Sequence, residues 1–484
     1  MIELQNVSFT YSESKTGGVR DVSFKIGRGE CVLLCGASGC GKTTVTRLIN
    51  GLIPYFFDGS LSGKILVNGR DTQETDIASL SDSIGSVFQN PRTQFFNTDT
   101  DSEIVFGLEN RGIERKELID RLNKITKQLH LENLRGRNIF ELSGGEKQKI
   151  AFSSVYASEP DILVFDEPSS NLDMTSVSEL SELIKSAKKA GKTIVIAEHR
   201  IQYLMDIADR VIYMKDGAVA ADMLISGFKA MSESDVREMG LRVRRLSEAE
   251  AYNEQALCTD LLLSVENIHV RLGERSVLKN LSFQLHGGEI AAVTGVNGAG
   301  KTTLARTLCG LQKETEGTIF LNGKTLNGRS RRGKSYMVMQ DVGHQLFSDS
   351  VISECTLGIK NPDMEEIENT LKSVDLSEYK ERHPLSLSGG QMQRLAAAVS
   401  RICGKELLIF DEPTSGLDLK SMEEVGALTQ MLAAQGKILL IITHDIEFMK
   451  RICSRILLIR NGQIAGDLSG SQKEDIVKLL RGER

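Results

Sequence analysis

The sequence predicts an α/β fold built twice over. Three observations predict it. Short, wholly apolar runs of strand length alternate with helical segments, a glycine-rich loop sits between such a run and a helix, and both features recur at matched positions in the two halves. At 484 residues the chain exceeds one hydrophobic core and calls for two to four domains. With 40% apolar and 26% charged residues it has the composition to bury them.

Each half opens with strand-like alternation, Ile2 to Phe9 and Leu263 to Val270. An apolar strand then feeds a glycine loop and a helix, starting at Glu30 in the first half and at Glu289 in the second. Apolar runs follow at 162–165 and 407–410, then at 193–197 and 438–443. Short apolar runs between helical segments read as buried parallel strands. Asp216-Gly217 and Asn461-Gly462 are hairpin signals that close each half.

The repeat is exact in spacing over its later part: Ser143 to His199 and Ser388 to His444 are 56 residues each. Lys42 to Gln89 spans 47 residues against 39 from Lys301 to Gln340, with the extra residues around 53–61. Two homologous modules therefore occupy 1–230 and 261–484. The polar, mixed-charge segment 231–260 between them reads as a short helix plus linker.

Several function classes are disfavoured. A formal charge of −6 and a pI near 5.8 argue against a dedicated nucleic-acid binder. The eight cysteines lack paired spacing, and Cys31, Cys35 and Cys40 fall on one strand and its loop. They read as buried thiols in a reducing compartment, not as a disulfide framework or metal site. The segment Met1 to Phe9 lacks a signal peptide's basic and apolar regions, and no run approaches the roughly eighteen apolar residues that span a bilayer. A membrane role would run through a partner.

The chemistry lies in repeated motifs. Gly36-Ala37-Ser38-Gly39-Cys40-Gly41-Lys42-Thr43-Thr44 and Gly295-Val296-Asn297-Gly298-Ala299-Gly300-Lys301-Thr302-Thr303 both fit G-x-x-x-x-G-K-[ST]. Glycines let backbone N–H groups ring a phosphate, and the helix N-terminus adds partial positive charge. Lys42 and Lys301 would reach the β- and γ-phosphates, and Thr43 and Thr302 would ligate Mg2+. Asp166-Glu167 and Asp411-Glu412 end apolar strands. The aspartates suit the Mg2+ shell, and the glutamates suit a base that polarises the attacking water.

His199 and His444 follow the next strand at equal spacing, which favours a γ-phosphate contact over a structural histidine. Gln89 and Gln340 could sense the metal or the attacking water. Tyr11, ending the first strand, could stack on adenine, where the second half aligns Leu272. The Leu-Ser-Gly-Gly turns at 142–145 and 387–390 combine a hydroxyl, two glycines and a helix start, the parts of an anion site.

Together these residues resemble the ATP-binding cassette (ABC) ATPases, through five motifs present twice over nearly the whole chain. The resemblance implies two tandem P-loop NTPase domains. Each would be a RecA-like parallel-sheet core with an antiparallel β subdomain and a helical subdomain that carries Leu-Ser-Gly-Gly. It also implies ATP and Mg2+ as cofactors and two composite sites. One joins Lys42, Thr43, Gln89, Asp166, Glu167 and His199 with Ser388, Gly389 and Gly390. The other joins Lys301, Thr302, Gln340, Asp411, Glu412 and His444 with Ser143, Gly144 and Gly145. The cassettes would pair within the chain, so no homodimer is required.

Within that family, the stretches 88–96 and 105–110, Gly51-Leu52-Ile53-Pro54 and Glu198-His199-Arg200 look like the first cassette of energy-coupling-factor importers. The resemblance implies uptake of vitamins, vitamin precursors or transition-metal ions such as cobalt or nickel. The partners would be an integral-membrane coupling subunit and a substrate-binding membrane subunit, with no nucleic acid. The chain would sit peripherally on the cytoplasmic face of the cell membrane, and specificity would reside in the membrane subunits.

Ser169-Ser170-Asn171-Leu172-Asp173 stands where the second half has Thr414-Ser415-Gly416-Leu417-Asp418, and Glu198-His199-Arg200 stands against Thr443-His444-Asp445. Since both halves keep lysine, glutamate and histidine, both sites are expected to hydrolyse ATP. Three other readings compete. A soluble tandem ATPase acting on ribosomes or DNA would resemble members with a long charged arm or zinc-spaced cysteines, which this chain lacks. A fused sugar-import ATPase would typically carry an altered second phosphate loop. A nucleotide-sensing scaffold would not need Glu167 and Glu412.

Overall fold

The computed structural model describes residues 1–12, 18–170, 172–249, 259–469, 472 and 475–481. The chain divides into two compact units, Met1–Glu248 and Ala249–Arg484.

In the first unit, the sheet at the centre has six strands. Their order is Ala218–Leu224, Arg210–Lys215, Cys31–Cys35, Thr193–Ala197, Ile162–Asp166 and Ile84–Val87. Every neighbouring pair is parallel except the hairpin that joins the first two, which turns at Asp216-Gly217 as its sequence requires. Cys31–Cys35 is buried along its whole length. Val32 and Leu34 face one core and Cys31, Leu33 and Cys35 the other. A strand buried on both faces can hold no polar residue without cost, which is why it reads as an unbroken apolar run.

The two cores have different lids. A four-stranded antiparallel sheet (Val19–Ile26, Ile2–Tyr11, Gly59–Val67, Arg70–Asp71) and the helix Lys42–Ile49 cover one. The helices Thr100–Glu109, Arg115–Gln128, Gly144–Ala157 and Met174–Lys189 cover the other. The second unit repeats the plan. Its six-stranded sheet runs Ser335–Val338, Leu407–Asp411, Ile438–Ile442, Ile290–Thr294, Arg455–Arg460 and Gln463–Ser469. Arg275–His286, Leu262–Leu272, Glu316–Leu321 and Lys324–Thr325 form its antiparallel sheet.

The extra residues near 53–61 become the short helix Leu52–Tyr55 and a longer strand, Gly59–Val67, which pairs to the end of its neighbour at Tyr11↔Gly59. The shorter counterpart Glu316–Leu321 reaches only His269↔Glu316. The segment expected as a linker also behaves differently over its first part. The helix Glu233–Glu238 and the residues up to Glu248 belong to the first unit. Val236 and Leu241 are buried there, Tyr213 donates its hydroxyl to Met239 O at 2.9 Å, and Arg244 donates to Phe228 O at 2.7 Å. Residues 250–258 of that segment, and Asn171, lie outside the described residues.

Candidate functional site

Four adjacent parallel strands deliver the candidate residues of each unit at their carboxyl ends, the edge where open α/β sheets bind ligands. In the first unit Cys31–Cys35 leads into the loop 36–41 and Thr193–Ala197 into His199. Ile162–Asp166 ends in the acidic pair, and Ile84–Val87 precedes Gln89. Leu34 and Asp166 both pair with Ala197, so these ends lie level. The second unit orders the strands before Gln340, at Asp411, before His444 and before Gly295 in the same way.

The glycine loop is shaped by close approach. Gly36 has φ +149, and a Cβ there would lie 2.3 Å from Met214 O. Gly295 repeats this at φ +145, 2.1 Å from Ile459 O. Ala37, Ser38 and Gly39 form the exposed rim of the first loop, and exposed Val296 and Gly298 with half-buried Asn297 are their counterparts in the repeat, while Cys40, Gly41, Ala299 and Gly300 are buried. The helices start at Lys42 and Lys301, and both lysines are buried. Lys42 Nζ donates to Gly36 O (2.9 Å) and Ala37 O (3.0 Å). Lys301 Nζ donates to Gly295 O (2.7 Å) and Val296 O (3.1 Å).

Thr43 Oγ1 donates to Asp166 Oδ1 at 3.1 Å, and Thr302 Oγ1 to Asp411 Oδ2 at 3.2 Å. Burial, with the Glu167 charge beside it, pushes the Asp166 carboxyl up to about 6. Burial raises Asp411 as well. A buried carboxylate beside a hydroxyl is a hard-oxygen pair whose desolvation a divalent cation would offset. Mg2+ takes one or two protein carboxylates and completes its shell with water and phosphate, so these residues fit it.

The glutamates were aimed in a way that residue spacing alone did not reveal. Glu167 and Glu412 adopt positive φ, 45° and 51°, a conformation costing about 1 kcal/mol or more for a side-chain-bearing residue. Each backbone N–H still extends the sheet ladder, to Ala197 O and Ile442 O at 2.8 Å. The turn swings the carboxylate toward the histidine: His199 Nε2 lies 3.3 Å from Glu167 Oε1, and His444 Nε2 3.4 Å from Glu412 Oε1. His199 Nε2 is also 3.3 Å from Lys42 Nζ, and Gln89 Nε2 donates to Glu167 Oε2 at 2.8 Å. Lys42, His199, Glu167 and Gln89 thus form one chain of contacts in the first unit, and the Thr43–Asp166 pair lies next to it in sequence, at Lys42 and at Glu167.

Tyr11 stands next to the loop, its hydroxyl 3.2 Å from Thr44 Oγ1 and accepting from Arg47 Nη1 at 3.0 Å. Its ring meets Phe9 and Phe57 edge-on, and Arg47 lies over Phe57 at 4.0 Å. Leu272 ends the matching strand and is exposed. Thr303 follows Thr302 in the helix Lys301–Leu308.

The Leu-Ser-Gly-Gly turns stand apart on other helices. Ser143 caps Gly144–Ala157, with Ser143 Oγ accepting from Glu146 N and Glu146 Oε2 from Ser143 N. Ser388 caps Gly389–Ile402 in the same reciprocal way with Gln391. Gly145 and Gly390 complete these first turns.

Residues 19–170 and 278–415 match the family model described as ABC transporter. The chain belongs to that family, and its activity is ATP hydrolysis. It is 59% identical over 487 residues, 99% of each chain, to a putative ABC transporter ATP-binding protein of Treponema denticola. It is 30% identical over 507 residues, 98% of this chain and 92% of the other, to the putative HMP/thiamine import ATP-binding protein YkoD of Bacillus subtilis. The archaeal ribosome recycling factor aABCE1, solved with the ribosomal stalk protein aP1, covers 98% of this chain and 92% of its own at TM-score 0.65. At 18% identity that is a likeness of fold. No helix among the described residues is long and apolar enough to cross a membrane.

Proposed function

We propose that this chain is the ATP-hydrolysing subunit of a membrane importer for a micronutrient, whether a vitamin, a vitamin precursor or a transition-metal ion. The observation that carries this reading is identity along 98% of the chain to a protein named for HMP/thiamine import. The segments around Gln89 and Glu198-His199-Arg200 support it. The chain would bind peripherally, at the cytoplasmic face, to an integral coupling subunit that works with a substrate-binding membrane subunit.

Each ATP site is composite in this reading. Lys42, Thr43, Gln89, Asp166, Glu167 and His199 would be completed by Ser388, Gly389 and Gly390. Lys301, Thr302, Gln340, Asp411, Glu412 and His444 would be completed by Ser143, Gly144 and Gly145. Thr43, Asp166 and Gln89, and in the repeat Thr302, Asp411 and Gln340, would hold Mg2+, which when bound neutralises charge on the phosphates. Glu167 and Glu412 would polarise water, with His199 and His444 at the γ-phosphate. Donors drawn from both cassettes make closure depend on ATP, and phosphate release undoes it.

The test is purification of the tagged chain from native membranes under mild detergent. Integral membrane proteins should co-purify and stimulate its ATPase activity. Recovery with ribosomes or DNA-repair proteins, and without membrane proteins, would overturn the importer reading.

A further inference from the structure

Two segments must keep their places around the catalytic cluster of each unit: the one after the glutamate and the one carrying the histidine. The first unit joins them through Glu198, whose side chain is buried. One of its oxygens accepts from His199 N (2.8 Å) and Arg200 N (3.2 Å). The other accepts from the Tyr203 hydroxyl (3.0 Å) and from Ser169 N (3.3 Å), two residues past Glu167. Burial, together with the charge of Glu198, raises the Tyr203 phenol well above its ordinary value and keeps it a donor.

The second unit ties the same segments from the other side of its histidine. Asp445 Oδ2 accepts from Thr414 Oγ1 at 3.0 Å, Thr414 being the counterpart of Ser169. Asp445 Oδ1 accepts from Phe448 N, capping the helix Ile446–Ile452, and Thr443 Oγ1 accepts from Asp445 N at 3.0 Å. In the first unit that helix is replaced by the short turn Ile201–Leu204, which has no side-chain cap, and Arg200 instead donates to Leu172 O at 3.3 Å. The carboxylate has moved two places along the chain, and the tie persists.

We infer that Glu198 is a positioning residue for hydrolysis in the first unit, holding His199 against Glu167 and Lys42 by fastening its loop to Ser169. The tie is exchangeable for the second unit's version. This rests on the reading that both units hydrolyse ATP. The test uses the full chain carrying Glu412→Gln, so that turnover reports the first unit. Glu198→Gln keeps the shape but turns an amide N–H2 toward donors. It should lower kcat about tenfold or more while leaving KM for ATP within about twofold.

Glu198→Thr should lose at least as much. Adding Ser169→Thr and Arg200→Asp should restore kcat to within about threefold of the Glu412→Gln parent. A purely structural carboxylate would lower Tm and ATP binding in step with kcat and would not be rescued by the exchange. Parental turnover in Glu198→Gln, or a triple variant no faster than Glu198→Thr, would overturn the inference. Loss of all turnover in Glu412→Gln alone would instead count against two units that turn over independently. The same variants in the otherwise unaltered chain would then decide the tie by the same ranking.

Discussion

At the start of the first unit, Tyr11 ends its strand against Phe9 and Phe57, with Arg47 holding its hydroxyl. At the start of the second, the strand ends in exposed Leu272. The histidine loops differ too, tied by Glu198 in one and by Asp445 in the other. Yet lysine, threonine, aspartate and glutamate stand alike in both, down to the positive φ of Glu167 and Glu412. Groups proposed to meet a triphosphate would be constrained in charge, reach and direction at once, and a duplicated site would keep them. Groups that only hold those in place are constrained in outcome, and any buried carboxylate within reach of both segments will serve.

The largest effect should come from the shared residues. Glu167→Gln with Glu412→Gln should lower steady-state ATP turnover at least about 100-fold, and each single variant should lower it measurably. A single variant as fast as the unaltered chain would show that its unit contributes nothing to turnover, and the likeness of the two units would be geometric only.

The next effect is on stability and has a fixed sign. The Asp166 carboxyl is raised from 3.8 to about 6 on folding, so the folded chain binds the proton more tightly than the unfolded one. The stability this provides is full below about 3.8 and is lost as pH rises through about 6. Asp166→Asn should therefore make the metal-free protein more resistant to urea at pH 8, by an amount of order 1–3 kcal/mol, and flatten the dependence between pH 4.5 and 7. Asp411→Asn should act with the same sign. Unchanged pH dependence in both variants would mean that burial does not disfavour these carboxylates.

The smallest effect lies where the units differ most. Tyr11→Leu should weaken ATP binding by the first unit by about 1 kcal/mol, roughly fivefold, and Leu272→Tyr should strengthen it in the second by no more than that. Fluorescent-nucleotide titration of each variant would read this. Unchanged affinity in Tyr11→Leu would make Tyr11 a packing residue of the Phe9–Phe57 cluster.

Much of the fold was legible from local pattern. Apolar runs such as 162–165 and 193–197 read as buried strands and are parallel neighbours in the sheet, and the hairpin signals Asp216-Gly217 and Asn461-Gly462 do turn hairpins. The glycine loop, the acidic pairs and the histidines were legible because their chemistry depends on residue type and short spacing. Three features were not legible, since each depends on segments distant in sequence. Residues 231–248 look like linker by composition, yet Tyr213 and the carbonyl of Phe228 give them a place on the first unit. The insertion near 53–61 shows in the sequence only as extra length, until Gly59 pairs with Tyr11 and Phe57 meets its ring. The contrast between Glu198-His199-Arg200 and Thr443-His444-Asp445 was visible, and its meaning was not.

By itself, then, the sequence determined which groups this protein has for its chemistry, and that they come twice. Glycine at a close approach, lysine after it and carboxylates at a strand end are requirements of single positions, and single positions are what a sequence displays. Only the tertiary structure decided how those groups are aimed and held. The positive φ of Glu167 and Glu412, the level strand ends, and the buried carboxylate that fastens one segment to another all depend on strands and loops many residues apart. Their free energy belongs to pairs, and a pair exists only once the chain has folded.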